Sequence, residues 1–277
     1  MAEYHDSQVR ALAELMRGRR ALALTGAGMS TGSGLPDYRG VGSTEVTPVT
    51  MDMFTADPVW YRWFWYRTET TWKSLLGLEP NEAHQALARM ERAGALRGVV
   101  TQNIDGLDRR AGTTRVWELH GSYHQCSCLE CGRRYARTEV STWLTRDNPG
   151  LVHDTDPARI AIIAEADRAA AEACYFRGPA CPACSGLIRP GIVMFGDVSP
   201  EGVIDQAISA ARMSDVLLIA GTSLTVNTPQ IIVREAMMRG ASIAVVNAGP
   251  CAADEIADMK IEASVLDVLP ALADLLA

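Results

Sequence analysis

Four short apolar runs, each ending in polar or glycine residues, constrain this chain more than any other feature. They are Ala21-Leu22-Ala23-Leu24, Gly98-Val99-Val100-Thr101, Val216-Leu217-Leu218-Ile219-Ala220 and Ser242-Ile243-Ala244-Val245-Val246. Runs of four to five residues without polar alternation suit strands covered on both faces. A stretch with helical periodicity precedes each one, at 7–18, 81–93, 200–212 and 229–239. In the first, Val9, Leu12, Leu15 and Met16 share one face and Gly18 ends it. Helices alternating with buried strands predict a parallel α/β sheet, whose ligands gather at the carboxyl ends of the strands. Val116–His120 and Ala263–Val265 read as further short strands, and 267–276 as a closing helix.

The strand tips carry the chemistry. The first run leads into Thr25-Gly26-Ala27-Gly28-Met29-Ser30. Glycines let a phosphate approach the backbone, and a following helix would offer its free N–H groups. Ser30, Thr31 and Ser33 add hydroxyls. The same residues also suit a plain tight turn, since the third glycine is not at the usual dinucleotide spacing. Gln102, Asn103 and Asp105 follow the second run, and Gly221-Thr222-Ser223 and Asn247 follow the last two. His120 ends the short strand at 116–120.

Residues 126–188 interrupt the pattern and hold six of the seven cysteines. Cys128-x-x-Cys131 and Cys181-x-x-Cys184 each place two sulfurs on one tight turn, and two such turns complete a closed tetrathiolate zinc site with no position open for catalysis. The competing reading is four buried or oxidised thiols. Gly132 and Gly186 supply local freedom, and Cys126 and His124 are alternative ligands. Asp156-Pro157 reads as a helix start, with Ile160, Ile163, Ala170 and Cys174 along one face. Residues 41–58 read as a loop, and 58–72 as an aromatic helix that suits a core or the wall of an apolar channel.

The expected fold class is therefore α/β. A Rossmann-like parallel-sheet domain at 1–125 and 189–277 carries a helical insert at 41–80 and a small zinc-binding insert at 126–188. A net charge of −7 weighs against generic nucleic-acid binding. No apolar run approaches the roughly 18 residues of a membrane span, and the first ten residues lack a signal-peptide core. The expected location is cytoplasmic, where paired cysteines point to metal rather than disulfides.

The motifs taken together are Gly26–Ser30, Gly34-Leu35-Pro36-Asp37-Tyr38-Arg39, Pro80–His84, Thr101–Asp105, Leu119-His120-Gly121, the cysteine pairs, Phe195-Gly196-Asp197 and Gly221–Leu224. In their order and spacing the chain resembles the sirtuins, NAD-dependent protein lysine deacylases, over nearly its whole length. The long segment between the cysteine pairs, Tyr38 and Asn247-Ala248-Gly249-Pro250 resemble the branch that includes the mitochondrial lipoamidase-type sirtuin. The chain departs from the pattern at Asp108, where the family usually has a histidine, and at Val226-Asn227-Thr228-Pro229.

The resemblance implies NAD as co-substrate, a structural zinc and acylated proteins or peptides as partners, with no nucleic acid or membrane. The oligomeric state stays open. In the implied reaction the acyl-lysine carbonyl oxygen attacks the ribose carbon bearing nicotinamide. Asp105 would hold the nicotinamide amide with help from the Ile104 backbone. Asn103 and Gln102 would fix ribose and water, and His120 would be the general base. Gly26, Ala27, Gly28, Ser30, Gly221, Thr222 and Ser223 would receive the diphosphate side of the cofactor. Pro36, Asp37 and Tyr38 would also bind the cofactor, Arg39 would approach its phosphates or the cofactor loop, and Asn247 would reach the adenosine ribose or adenine. Gly191–Gly196 would pair with substrate as an added strand, with Val193, Phe195 and Gly196 at the acyl-lysine. His84 would hydrogen-bond inside the fold.

A neutral acyl group is expected. The Tyr-x-x-Arg pair of desuccinylase-like relatives is absent, Arg62 and Arg67 read as surface residues, and Glu69 would repel a carboxylate. Two rival readings are an ADP-ribosyltransferase or NAD hydrolase on the same scaffold, and an NAD-sensing zinc-ribbon binding module.

Overall fold

In the computed structural model, the described residues are 2–36, 47–151, 153 and 164–277. In chain order the elements are α1 (Ala2–Met16), β1 (Ala21–Thr25), α2 (Met51–Ala56), α3 (Pro58–Leu75), α4 (Glu82–Arg92), β2 (Leu96–Thr101), α5 (Leu107–Arg110), β3 (Val116–Glu118), β4 (Gly121–Cys128) and β5 (Arg134–Ala136). They continue with α6 (Arg137–Asp147), α7 (Arg168–Ala173), β6 (Ile188–Ile192), α8 (Val203–Arg212), β7 (Val216–Ala220), α9 (Asn227–Met237), β8 (Ser242–Val246), β9 (Met259–Ile261) and α10 (Val265–Leu276). The chain forms two compact units. One takes the described residues of Met1–Tyr38, Glu79–His120 and Pro200–Ala277, the other those of Arg39–Leu78 and Gly121–Ser199.

The first unit is a six-stranded sheet in the order β3-β2-β1-β7-β8-β9. Every neighbouring pair is parallel. Side chains of a strand alternate between faces. Ala21, Ala23, Val216 and Leu218 thus pack with Leu12 and Met16 of α1, Leu87 and Met90 of α4, and Leu269 and Leu272 of α10. Leu22, Leu24, Leu217 and Ile219 pack on the other face with Ala207 and Ala211 of α8 and Ile232 and Ala236 of α9. A buried leucine contributes about 1.5–3 kcal/mol relative to exposure, so this two-sided packing fixes the sheet.

The strand expected at 263–265 lies instead at Met259–Ile261. Ser264 caps α10, its Oγ accepting the Leu266 N–H at 3.2 Å. Ala263 and Val265 are apolar because the helix enters the core there.

The second unit contains a three-stranded antiparallel sheet, β5-β4-β6, together with α2, α3, α6 and α7. Compared with the expected insert at 126–188, it extends outward on both sides and also takes in 47–78. Part of the expected loop at 41–58 is helical. Thr50 caps α2 through its side chain, and Asp57 caps α3, its Oδ1 accepting the Val59 N–H at 2.8 Å with Pro58 in the first turn. Residues 41–46 of that loop lie outside the described residues, as do Asp156-Pro157, Ile160 and Ile163 of the expected helix.

The aromatic helix α3 packs inside its own unit. The Tyr61 hydroxyl accepts the Ile188 N–H at 3.1 Å and lies 2.5 Å from the Pro179 carbonyl. Trp65 Nε1 donates to Ile188 O at 3.0 Å, and Trp63 Nε1 to Glu165 O at 2.6 Å. Glu69 is completely buried and pairs with the equally buried Arg137 at 2.6 Å. The Arg137 guanidinium lies over the rings of Trp65 and Trp72, at 5.2 and 5.4 Å. Ser141 Oγ donates to the other Glu69 oxygen at 2.5 Å. A carboxylate neutralised this way does not repel a charged acyl group, so that expectation for Glu69 is corrected. Arg67 is half-buried with its guanidinium 5.5 Å from the Trp63 ring centroid, and Arg62 is half-buried too, so neither is a freely solvated surface residue.

Candidate active site and metal centre

The carboxyl ends of β1, β2 and β7 meet in one polar cluster. After β1 the chain makes two 3-10 turns, Ala27–Met29 and Thr31–Ser33. Gly28 N donates to Gly221 O at 2.9 Å, and a Cβ on Gly28 would lie 2.9 Å from both the Cα and the O of Gly221. Gly221 itself has φ +62. The glycine at 28 is therefore demanded by the contact between two strand tips, whatever else the turn binds. Gly28→Ala is expected to cost about 1–3 kcal/mol through this overpacking, read as a lower midpoint in urea unfolding.

Ser30 is buried at the centre of the cluster. Its Oγ donates to Asp105 Oδ2 at 2.7 Å and accepts from Asn103 Nδ2 at 3.1 Å. Asn103 Nδ2 also donates to Gly26 O at 3.0 Å, and Asp105 Oδ1 accepts the Leu107 N–H at 2.9 Å. Gln102 Nε2 donates to Thr222 Oγ1 at 2.9 Å. His120, half-buried, has its Nδ1 2.9 Å from Gln102 O. A carbonyl only accepts, so Nδ1 carries the proton and Nε2 presents a lone pair. Burial, partly offset by that hydrogen bond, lowers the His120 pKa and favours the neutral ring.

The Pro80–His84 motif braces the turn. Asn81 Nδ2 donates to Met29 O at 2.7 Å, and its Oδ1 caps α4 and accepts from His84 Nδ1 at 3.0 Å. His84 is wholly buried. Its role inside the fold matches the expectation from the sequence.

In the second unit, Cys128, Cys131, Cys181 and Cys184 place their sulfurs within 4.8 Å of one another. The Cys128–Cys184 and Cys131–Cys181 pairs are 3.5 and 3.7 Å apart. Tetrahedral zinc with bonds of about 2.3 Å spaces its sulfurs about 3.8 Å apart, so the four residues fit a structural zinc. The Tyr135 hydroxyl, 3.0 Å from Cys181 Sγ, donates to it and draws that thiol down to about 6. Both turns close alike. Gly132 N bonds Cys128 O at 3.1 Å and Ser185 N bonds Cys181 O at 2.8 Å, with φ +69 and +60. The left-handed position of the second turn is thus Ser185, not Gly186. Cys126 is buried in β4 outside the cluster, its thiol pushed up to about 12 by desolvation. His124 stacks edge-on against Trp72 instead of joining the sulfurs.

The Sir2 family model matches residues 26–228. This chain belongs to the Sir2 family. The sirtuin is 40% identical over 264 residues to NAD-dependent protein deacetylase 1 of Mycobacterium avium (strain 104), covering 95% of this chain and 94% of that protein. It is 38% identical over 258 residues to the NAD-dependent protein deacylase Sirt4 of Drosophila melanogaster, covering 91% and 82%. A solved Sir2 structure with a p53 peptide and NAD+ superposes with a TM-score of 0.75 at 28% identity, covering 96% of this chain and 97% of that one.

Other sirtuin positions singled out in the sequence fall as follows. Pro36 is exposed, and Asp37, Tyr38 and Arg39 lie outside the described residues. Ile104 and Ser223 are half-buried. Asn247 Nδ2 is engaged by its own loop, donating to Gly249 O at 2.8 Å. The stretch 191–196 is not one strand. β6 ends at Ile192, Asp197 N bonds Met194 O at 3.0 Å, and Gly196 has φ +83. Phe195 is 56% exposed, and its carbonyl accepts the Met51 N–H at 2.9 Å. Arg189 fixes this turn by pairing with Asp197. Among the described residues, no helix is long and apolar enough to cross a membrane.

Proposed function

We propose that this sirtuin removes acyl groups from protein lysines with consumption of NAD, giving nicotinamide and O-acyl-ADP-ribose. The observation that carries the reading is the buried Ser30–Asn103–Asp105 cluster beside a histidine whose Nε2 lone pair is set by the Gln102 carbonyl. That donor and acceptor set suits NAD: a carboxylate for the nicotinamide amide, amides for the ribose, and glycine-lined backbone for the diphosphate. Bound NAD supplies a ribose carbon with a cationic leaving group, so no acid is needed to expel nicotinamide.

The chain's own task is orientation and one proton. Asp105 and the Ile104 backbone hold the nicotinamide amide. Asn103 and Gln102 fix the ribose face, and Gly26, Ala27, Gly28, Ser30, Gly221, Thr222 and Ser223 line the diphosphate. His120 Nε2 takes the proton from a ribose hydroxyl, which frees that oxygen to attack the activated acyl carbon. Pro36, Asp37, Tyr38 and Arg39 contribute to the cofactor side and Asn247 to the adenosine. Val193, Phe195 and Gly196 meet the acyl-lysine segment of a protein or peptide, and the exposed Phe195 ring supports that reading. Two Cys-x-x-Cys pairs read as metal ligands accord with a cytoplasmic location.

Neutral acyl groups are the preferred substrates. A terminal carboxylate leaving water needs a fixed cation. The Arg67 guanidinium of α3 lies 5.5 Å from the Trp63 ring centroid, and the Arg137 guanidinium of α6 is paired with Glu69. The test is nicotinamide release and kcat/KM with matched acetyl-, decanoyl-, lipoyl- and succinyl-lysine peptides. Release is expected to require an acylated peptide, with acetyl ahead of succinyl. Equal release without peptide would mark an NAD hydrolase. Succinyl ahead of acetyl by about tenfold, or 1.4 kcal/mol, would overturn the neutral preference.

A further inference from the structure

The turn after β6 is held by an ion pair that the reaction outlined above does not use. Arg189 lies on β6, where its register places it beside Ser127 of β4. Its guanidinium reaches forward along the chain. Nη2 donates to Ile192 O at 2.8 Å and also to Asp197 Oδ2. The side chains of Arg189 and Asp197 are 17% and 10% exposed, so salt and water screen the pair only weakly. Asp197 closes the turn with its remaining polar groups. Its N–H donates to Met194 O at 3.0 Å, and its Oδ1 accepts the Val198 N–H at 2.8 Å.

The rest of the turn has little freedom. Gly191 backs against β4, where a Cβ would lie 2.9 Å from Gln125 O and 3.0 Å from Ser122 O. Gly196 has φ +83, a conformation that other residues adopt only with strain. The Phe195 carbonyl accepts the Met51 N–H at 2.9 Å. Within the turn the side chains divide sharply: Met194 is buried, whereas Phe195 is 56% exposed. A ring so exposed is not held in place by its own burial. The contacts of its neighbours hold it, and Arg189 joins the two ends of the turn, at Ile192 and Asp197.

We propose that Arg189 and Asp197 are positioning residues of the peptide site: their ion pair pre-sets the turn at 193–196, so that an acyl-lysine peptide meets it already ordered. This rests on reading Val193, Phe195 and Gly196 as substrate contacts. Without the pair, the incoming peptide must order the turn itself, and that cost weakens peptide binding in the ground state and the transition state alike. KM for peptide therefore rises, while kcat and KM for NAD hold. A general loosening of the structure would move all three.

The experiment uses the zinc-loaded enzyme and measures kcat, KM for an acetyl-lysine peptide at saturating NAD, and KM for NAD at saturating peptide. Arg189→Met keeps the stem and removes the guanidinium. Asp197→Asn leaves one oxygen, which can serve Val198 or Arg189 but not both. Each is expected to raise peptide KM about tenfold, with kcat and KM for NAD within about twofold of wild type. The double variant is expected to match either single one, because the same pair is lost once. Arg189→Lys, which keeps the charge, is expected to return peptide KM to within about threefold of wild type. A parallel arm follows backbone hydrogen exchange over 193–198 in the ligand-free protein, with faster exchange expected in both single variants. Unchanged peptide KM in either single variant, or an equal rise in KM for NAD, overturns the positioning role. Single effects that multiply to about a hundredfold in the double variant overturn the pair as one device. Unchanged exchange overturns the pre-set turn. Phe195→Ala is the control for the underlying reading. If it leaves peptide KM unaltered, the substrate contacts and the positioning role fall together, while the exchange arm still reports on the turn.

Discussion

Replacing His120 with alanine is expected to lower kcat about 10²–10⁴-fold, the usual contribution of a positioned base, with NAD affinity nearly unchanged. Among the described residues the ring makes one hydrogen bond, from Nδ1 to the Gln102 carbonyl, and that bond sets the tautomer. Its loss removes a proton acceptor and not a binding surface. The pH profile separates this role from a merely structural one. Burial places the His120 pKa below its ordinary 6.5. Wild-type kcat/KM should therefore hold through neutrality and fall only as pH drops past that lowered value, where Nε2 becomes protonated. In His120→Ala this acid limb should vanish. Rapid-quench or steady-state kinetics on acetyl-lysine peptide, with calorimetry for NAD, gives both numbers. A variant retaining more than about a tenth of wild-type kcat would remove His120 from the base role.

Cys181→Ser is the second large effect. Four thiolates fit one zinc per chain, and the binding energy of such sites is about 10 kcal/mol or more in zinc-finger peptides at neutral pH. Cys181 is the thiol that Tyr135 draws down to about 6, which favours its thiolate. Its serine variant is expected to drop from about one zinc per chain to less than about a tenth. β4 carries Cys128 and pairs with β6, which begins four residues after Cys184. Loss of metal should therefore loosen both strands and the turn at Phe195, read as faster proteolysis within 121–199 and lost deacylation. Elemental analysis showing full zinc in the variant, or freshly purified active wild type without zinc, would refute the site.

Much of the sheet was legible because β1, β2, β7 and β8 are apolar almost throughout, a pattern that only two-sided burial explains. The zinc ligands were equally plain, since their spacing is itself the chemistry. β4 was hidden for a physical reason. Its pairing with β6 shifts register between Gly121 and Cys126, so Gly121, Tyr123, Cys126 and Cys128 are buried without a regular period of two. The antiparallel sheet therefore left no alternation to read. Glu69 and Arg137 were invisible as a pair because they stand on separate segments, and each alone looks like a surface charge. Gly28 was legible as a turn residue, but its contact with Gly221 belongs to the tertiary structure.

The buried Glu69–Arg137 pair also bears on inheritance and assembly. Neither charge tolerates the interior alone, and removing one partner of such a pair typically costs about 3–5 kcal/mol. The helix before the sheet-unit segment 79–120 and the strand-helix segment after it must therefore arrive together, although they lie far apart along the chain. The metal-bearing ribbon cannot be lifted out as a cassette, because excising it removes Arg137 and leaves the buried Glu69 with only Lys73, 3.6 Å away and partly exposed, among the described cations. Recombination that breaks the chain between α3 and α6 separates the two charges, and drift at either position is tolerated only if both are replaced by apolar residues of matching volume. The apparent insert and the aromatic helix are one heritable object, written in two places.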